Sequence, residues 1–360
     1  MSRARFPVLR HPIVAAPLAG GPSTLALAAA VSGAGGLGFL AAGYKPVGRV
    51  AQEIADLRRG LPGGEPFGVN VFAPPGRGAG GPKVGEYAAS LQADAERVRV
   101  ELGDPRWDDD SYAGKLELLQ ELPVPVVSFT FGCPSSGDVS RLQNTGSSVW
   151  VTVTTVAEAR AAAEAGADAL VVQGVEAGGH RGGFDDTAPG EVGLLALLQL
   201  VDAALAGGMP LVATGGIATG GAVAAVLAAG ASAAQLGTAF LRCPEAGTAA
   251  VHVESLEGEA PTRLTRAFTG RMARGIANRF LVEHTEGAPS AYPEVHHLTA
   301  PLRSAARERG DADLLHLWAG QAYTLGQAVP AAEVVVALAA EARSALERAA
   351  QQLSPGRAEV

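Results

Sequence analysis

A histidine flanked by glycines is the residue of this sequence best suited to proton transfer. His180 lies in the segment QGVEAGGHRGG (173–183), directly after an apolar run. The ordinary pKa of histidine is close to neutrality, and glycines let the backbone approach a ligand. The alternative is a solvated loop histidine beside Arg181, but the glycines on both sides favour catalysis. Glu176 and His180 are too few ligands for a closed metal site, so we expect no metal.

Glycine turns after two other apolar runs are typical of a phosphate site. The segment ATGGI (213–217) contains Gly215 and Gly216, and QLGT (235–238) contains Gly237 and Thr238. Without Cβ atoms, successive N–H groups can point at the phosphate oxygens of a cofactor. Thr238 could add a hydroxyl and cap the next helix. Either turn alone could simply form a tight corner, but the two in this order favour phosphate binding.

Other polar residues admit two interpretations each. Asn70 ends a buried strand, so its amide must bond either a ligand or a backbone group of the rim. Cys133 is a reactive thiol or, as we favour, a small buried residue. His296 and His297 have no further ligand at zinc-like spacing, and we interpret them as surface residues or cap contacts. We find no serine nucleophile elbow, nucleotide-triphosphatase loop or dinucleotide fingerprint.

Short apolar runs alternating with alanine-rich segments must position these residues. The predicted strands are 13–16, 37–40, 67–71, 124–129, 149–153, 169–172, 211–213 and 233–236. Continuously apolar strands are typical of parallel strands buried on both faces. Helices are predicted at 25–33, 155–165 and 219–229, with Thr219 as an N-cap and Gly166 and Gly230 after the last turns. Eight strands alternating with helices favour an α/β fold, the (β/α)8 TIM barrel, whose working residues lie on loops after the strands.

Two regions fall outside this repeat. Residues 74–122 are predicted to be an insertion after the third strand, and it begins with a Pro/Gly-rich stretch at 74–82. Residues 241–360 are predicted to be mainly helical and to form a cap lobe after the eighth strand. We therefore predict a barrel at 1–240 and a C-terminal cap region at 241–360 packed on it.

The composition narrows the classes of partner. A net charge of −8 gives no electrostatic basis for binding nucleic acid or an anionic membrane. An anionic cofactor must then be held by local N–H groups and a few side chains. Two cysteines and the lack of a signal segment fit the reducing cytoplasm. The oligomeric state, a homodimer included, stays open.

Together these segments resemble the nitronate monooxygenase family, formerly called 2-nitropropane dioxygenases. QGVEAGGHRG (173–182) is close to a family signature, and SFTFG (128–132), ATGGI and QLGT support it. The resemblance implies non-covalent flavin mononucleotide (FMN) and oxidation of small alkyl nitronates by O2 to a carbonyl compound and nitrite. It implies that His180 is the catalytic base and that Tyr292 and Tyr323 are candidates for shaping the substrate site. The flavin contacts that it implies are Asn70, Gln173, Gly178, Gly216, Gln235, Leu236, Gly237 and Thr238.

Three other functions fit a flavin barrel with these segments. Enoyl-acyl-carrier-protein reductases that use FMN and NAD(P)H carry a similar Glu-x-Gly-Gly-His segment, and quinone reductases occur among the relatives. A non-catalytic flavin-binding barrel is the third. Rapid bleaching of the flavin by NADH would favour a reductase, whereas a yellow but inert protein would favour a sensor.

Overall fold

The strands that carry the predicted site form a closed parallel barrel. The computed structural model describes residues 6–74 and 81–353; part of the predicted insertion, 75–80, lies outside the described residues, as do both termini. Within those ranges the eight barrel strands are β1 (Ile13–Ala15), β2 (Gly38–Ala41), β3 (Phe67–Phe72), β4 (Val126–Thr130), β5 (Ser148–Val153), β6 (Ala169–Gln173), β8 (Leu211–Thr214) and β9 (Ala233–Leu236). They pair in the order β1-β9-β8-β6-β5-β4-β3-β2. The N–H of Leu37 donates to the carbonyl of Ile13 at 3.0 Å and joins β2 to β1. The predicted (β/α)8 barrel is confirmed.

The barrel interior is filled by side chains, which explains why its strands are continuously apolar. Val14, Val171 and Val212 are fully or almost fully buried around Trp150. The ring of Phe6 stacks on Trp150 with the ring centroids 5.0 Å apart. Ligands must therefore bind at a rim of the barrel.

Helices surround the barrel where the sequence predicts them. In the described ranges they are α1 (Leu25–Gly33), α2 (Val47–Gly60), α3 (Gly81–Ser90), α4 (Gln92–Val98), α5 (Tyr112–Glu121), α6 (Ser136–Asn144), α7 (Val156–Glu164), α8 (Leu194–Ala204), α9 (Gly220–Ala228), α10 (Ala250–Ser255), α11 (Arg279–His284), α12 (Glu294–Arg309) and α13 (Ala331–Leu353). The hydroxyl of Thr219 accepts from the N–H of Ala222 and caps α9. Gly166 and Gly230 have φ near +95° and +100° after α7 and α9, as predicted. None of the described helices is both long and apolar enough to cross a bilayer.

The predicted insertion and the predicted C-terminal region each supply helices both to the cap and to the layer around the barrel. Helices α3 and α4 pack against α12 in the cap, while α5 lies between α2 and α6 around the barrel. Helix α13 packs against α9 and α1, also around the barrel. The predicted boundary at residue 240 stays a prediction.

A small antiparallel sheet joins the barrel to the cap. Its strands are β7 (Gly179–His180), β10 (Thr262–Thr265) and β11 (Ala273–Ile276), in the order β10-β11-β7. His180 pairs with Ala273. The loop after β6 is therefore held by cap backbone.

The contact between α9 and α13 generates a prediction about stability. A Cβ atom on Gly220 would lie 2.1 Å from the Cβ of Glu341. We expect Gly220→Ala to lower the free energy of unfolding by about 1–3 kcal/mol, since the helices must separate. Urea denaturation measures this. Gly221→Ala is the control because its Cβ atom would meet only the Thr219 hydroxyl oxygen, at 3.8 Å. Equal stability of the two variants would contradict the packing described here.

Candidate active site

One cavity at the carboxyl ends of the barrel strands is lined by every residue predicted to be catalytic or to contact the cofactor, whereas Tyr292 is not part of its lining. These residues are Asn70, Gln173, Gly178, His180, Gly215, Gly216, Gln235, Leu236, Gly237 and Thr238. The imidazole and the two glycine turns thus lie on the same rim. Their individual roles toward a cofactor stay predictions.

The His180 side chain is enclosed by aromatic rings and one hydroxyl. The centroids of Trp318 and Phe131 lie 5.4 and 5.6 Å from that of the imidazole, and Tyr292 lies 6.2 Å away. The Nε2 atom is 2.9 Å from Oγ1 of Thr269. The ring is therefore held from several sides over the cavity.

Burial and two arginines keep His180 neutral. Loss of solvent, followed by the charges of Arg271 and Arg303, lowers the pKa of His180 to about 3. At neutral pH the imidazole has a lone pair available for a proton. The same charges disfavour the imidazolium that would result.

The loop after β6 is fixed by its own side chains. Oε1 of Gln173 accepts from Nη1 of Arg181 at 3.1 Å and from the N–H of Gly182 at 2.8 Å, while Nε2 donates to the carbonyl of His180 at 3.1 Å. The carboxylate of Glu176 accepts from the N–H of Leu194, at the start of α8. Glu176 therefore caps a helix.

The first glycine turn presents free backbone donors to the cavity. Gly215 and Gly216 have φ of +120° and +67°, a region that favours glycine. Neither N–H donates to an acceptor within the described part of the chain. Two adjacent free N–H groups suit an anionic oxygen.

The second turn corrects one prediction. Gly237, not Thr238, is the N-cap of the short 3-10 helix Thr238–Phe240, and no side chain caps it. Instead, Oγ1 of Thr238 accepts from the N–H of Gly320 at 3.0 Å. The prediction that Thr238 caps this helix was wrong because Thr238 is the first residue inside the helix and Gly237 occupies the N-cap position. The Thr238 hydroxyl can still donate a hydrogen bond.

Two buried amides keep polar atoms available at the rim. Nδ2 of Asn70 donates to Oγ of Ser128 and to Oγ1 of Thr130, both at 2.9 Å, which leaves Oδ1 to accept. Gln235 is 7% exposed, and its amide bonds no described residue. A ligand with donors and acceptors along one edge would satisfy both.

Sequence reasoning did not place Tyr44, His296 or Arg303 in the cavity lining. Tyr44 stacks on His296 with the centroids 4.2 Å apart, and its hydroxyl accepts from that of Tyr292 at 3.2 Å. Arg303 donates to the carbonyl of His296 at 2.7 Å. Tyr44 follows β2, so its place after a barrel strand could have indicated it, whereas no local pattern marks His296 or Arg303.

The charged side chains of the cavity lining, within the described residues, are arginines only. Arg303 and Arg307 contribute to it, and no Asp, Glu or Lys does. Arg303 donates to Oγ1 of Thr299 and makes no ion pair with a described carboxylate. Although the whole chain carries a net charge of −8, this cavity is electrostatically suited to anions.

Four further residues named from the sequence have structural contacts. The ring of Tyr323 lines the cavity, but its hydroxyl donates to the carbonyls of Gly258 and Ala260. Burial raises the pKa of the half-buried Cys133 thiol, so the uncharged thiol is favoured. His296 and His297 make contacts within the cap region. Nε2 of His297 lies 2.6 Å from Oδ2 of Asp108.

The fold and the site define a (β/α)8 barrel with an arginine-containing cavity at the carboxyl ends of its strands. A sequence model of the nitronate monooxygenase family matches residues 6–341. A nitronate monooxygenase of Pseudomonas aeruginosa is 40% identical, covering 93% of this chain and 97% of that protein. The chain belongs to the nitronate monooxygenase family, a family of flavoenzymes. The resemblance found in the sequence is confirmed.

Two solved structures are similar to this chain over almost its whole length. A nitroalkane oxidase from Streptomyces ansochromogenes is 51% identical with a TM-score of 0.90, covering 95% of this chain and 98% of that chain. FabK from Thermotoga maritima is 26% identical with a TM-score of 0.75, covering 96% of each chain.

Buried neutral histidines predict loss of stability in mild acid. Burial lowers the pKa of His252 to about 4, whereas an unfolded histidine titrates near 6.5. The unfolded chain therefore binds the proton first, and stability falls as the pH drops from about 6.5 toward 4. In His252→Gln, the loss of unfolding free energy between pH 7 and pH 5 should be smaller by roughly 1–2 kcal/mol. Urea titrations at both pH values measure it; an unchanged loss would contradict the assignment.

Proposed function

We propose that this protein is an FMN-dependent nitronate monooxygenase, which uses O2 to convert small alkyl nitronates to carbonyl compounds and nitrite. The observation that carries the proposal is the convergence of a neutral histidine, an arginine without a carboxylate partner and a free-donor glycine turn on one cavity. Family membership supports it. Nitroalkanes, the neutral conjugate acids of nitronates, are the second substrate class.

The rim residues fit FMN. The free N–H groups of Gly215 and Gly216 would hold the phosphate, with the Thr238 hydroxyl as a further donor. Oδ1 of Asn70 and the amide of Gln235 would bind the polar edge of the ring system. When bound, FMN supplies the redox chemistry between the nitronate and O2.

The arginines favour substrates that carry a negative charge. A nitronate is an anion, and Arg303 is a half-buried cation that lacks a carboxylate partner among the described residues. Attraction between opposite charges is strong where water is excluded. Binding of a preformed nitronate also requires no proton transfer to His180. We therefore expect nitronates to be the better substrates.

His180 acts on the neutral substrates. Its lone pair can take the acidic α-proton of a nitroalkane, and the electron pair of the C–H bond then forms the C=N bond of the nitronate. The negative charge moves to the nitro oxygens near the arginines, which offsets the low basicity of the imidazole.

Substitution of His180 tests this division of labour. His180→Asn should lower kcat/KM for nitroethane by about 10²–10⁴, the usual contribution of a general base. Turnover of ethyl nitronate should change far less, because that substrate carries no proton to remove. Nitrite release measures both, and His11→Asn, outside the cavity, is the control. Equal activity of the variant on nitroethane would rule out His180 as the base.

Substitution of Gly216 tests the phosphate turn. Gly216→Ala should weaken FMN binding about tenfold, since an L-residue is strained at φ +67° and its Cβ atom would lie 3.0 Å from that of Glu176. Flavin absorbance after dialysis or titration measures affinity. Gly230→Ala, at φ +100° in open space outside the cavity, introduces similar strain and should keep normal affinity. Equal weakening in both variants would refute a phosphate site at Gly216.

A visible spectrum and one anaerobic mixing experiment test the proposal as a whole. We expect a flavin spectrum that ethyl nitronate changes and NADH does not, followed by nitrite release when O2 is admitted. Rapid bleaching by NADH alone would replace the proposal with a reductase function.

A further inference from the structure

The hydroxyl of a cap residue contacts the imidazole of His180. Thr269 is 2% exposed, and its Oγ1 lies 2.9 Å from Nε2 of His180. It also lies 3.3 Å from the carbonyl oxygen and 3.4 Å from the backbone nitrogen of Arg271. Thr269 can therefore donate its one proton either to the imidazole or to that carbonyl.

The position of the Arg271 carbonyl is fixed by other contacts of that residue. Nε of Arg271 donates to the carbonyl of Arg181 at 3.2 Å, and its guanidinium lies 4.1 Å from the ring centroid of Phe131. An acceptor is thus held beside the Thr269 hydroxyl whether or not a ligand is bound.

The turn that carries Thr269 is also fixed to the barrel. Oδ2 of Asp186 accepts from Nε of Arg266, and Oδ1 accepts from the N–H of Met272, both at 2.8 Å. Asp186 belongs to the same barrel segment as His180, so one carboxylate holds the turn on both sides of Thr269. The distance between Thr269 and His180 is therefore set by the junction of barrel and cap.

Two tautomers of His180 are possible in this arrangement, and they differ in which ring nitrogen is basic. A neutral imidazole has one N–H and one lone pair. If Thr269 donated to Nε2, that lone pair would be occupied and Nδ1 would carry the proton. If Thr269 donates to the Arg271 carbonyl, Oγ1 accepts from Nε2–H and the lone pair lies on Nδ1, which no described residue hydrogen-bonds.

We propose that Thr269 is a positioning residue that fixes His180 in the Nε2–H tautomer and leaves the Nδ1 lone pair free to take the α-proton of a nitroalkane. The role rests on the proposed function. The proton moves from the substrate carbon to Nδ1, and the C–H electron pair becomes part of the nitronate C=N bond. Thr269 itself contacts neither reacting atom in this step.

Substitution of Thr269 separates tautomer control from simple packing. Thr269→Val keeps the shape and removes the hydroxyl, so kcat/KM for nitroethane should fall about tenfold, the equivalent of one hydrogen bond. Ethyl nitronate should be turned over within about twofold of the wild-type rate, because that reaction needs no base. Thr269→Ser, which keeps the hydroxyl, should behave like the wild type on both. An unchanged rate on nitroethane, or an equal loss on both substrates, would overturn the proposal.

Nuclear magnetic resonance provides a readout that does not depend on turnover. In ¹⁵N-histidine-labelled protein, long-range ¹H–¹⁵N correlations distinguish a protonated ring nitrogen from a bare one, and the spectrum of His180→Asn assigns the signal. We expect Nε2–H in the wild type and in Thr269→Ser, and a tautomer mixture in Thr269→Val. Nδ1–H in the wild type would overturn the inference even if the protein oxidises nitronates. Absence of nitronate oxidation by the wild type would refute the proposed function and, with it, the part that Thr269 plays in the reaction. It would not refute the assignment of the His180 tautomer.

Discussion

A half-buried arginine, Arg303, without a carboxylate partner among the described residues is the constraint on which the rest of the site depends. Arg303 is held by the carbonyl of His296 and the hydroxyl of Thr299, so its charge is oriented but not neutralised by them. Removing a charge from water is costly unless it is paired. In the proposed function, a nitronate anion is that partner. The same charge adds to the burial that lowers the pKa of His180, so it acts on both the ligand and the imidazole.

His180 contacts both the barrel and the cap. The chain reaches His180 from a barrel strand, yet its backbone pairs with Ala273 of the cap and its ring contacts Thr269, also of the cap. The barrel supplies the rim on which a cofactor can lie, and the cap supplies the electrostatic surroundings of the imidazole. Neither layer alone would determine the pKa or the orientation of the imidazole, so barrel enzymes with similar rims can differ in chemistry through their caps.

The sequence was sufficient for features that depend on local pattern. Buried parallel strands must be apolar, so all eight could be located, and the turn at Gly215 and Gly216 follows from the need for glycine at positive φ. The same reasoning did not find Arg303, because its contacts with His296 and Thr299 within α12 follow no pattern that marks a site. It also misassigned the hydroxyl of Thr238, which bonds the backbone of Gly320, 82 residues later. Long-range partners of this kind leave no periodic signal.

The position of α13 has a consequence for how the chain is made. This helix covers the outer face of α9, where Val223 and Val226 are buried, and it also contacts α1. It follows the cap in the chain, so an apolar strip of the newly made barrel stays uncovered while about ninety further residues leave the ribosome. The closing helix thus makes completion of the cap a precondition for a finished barrel, and a chain terminated early would expose a surface prone to aggregation.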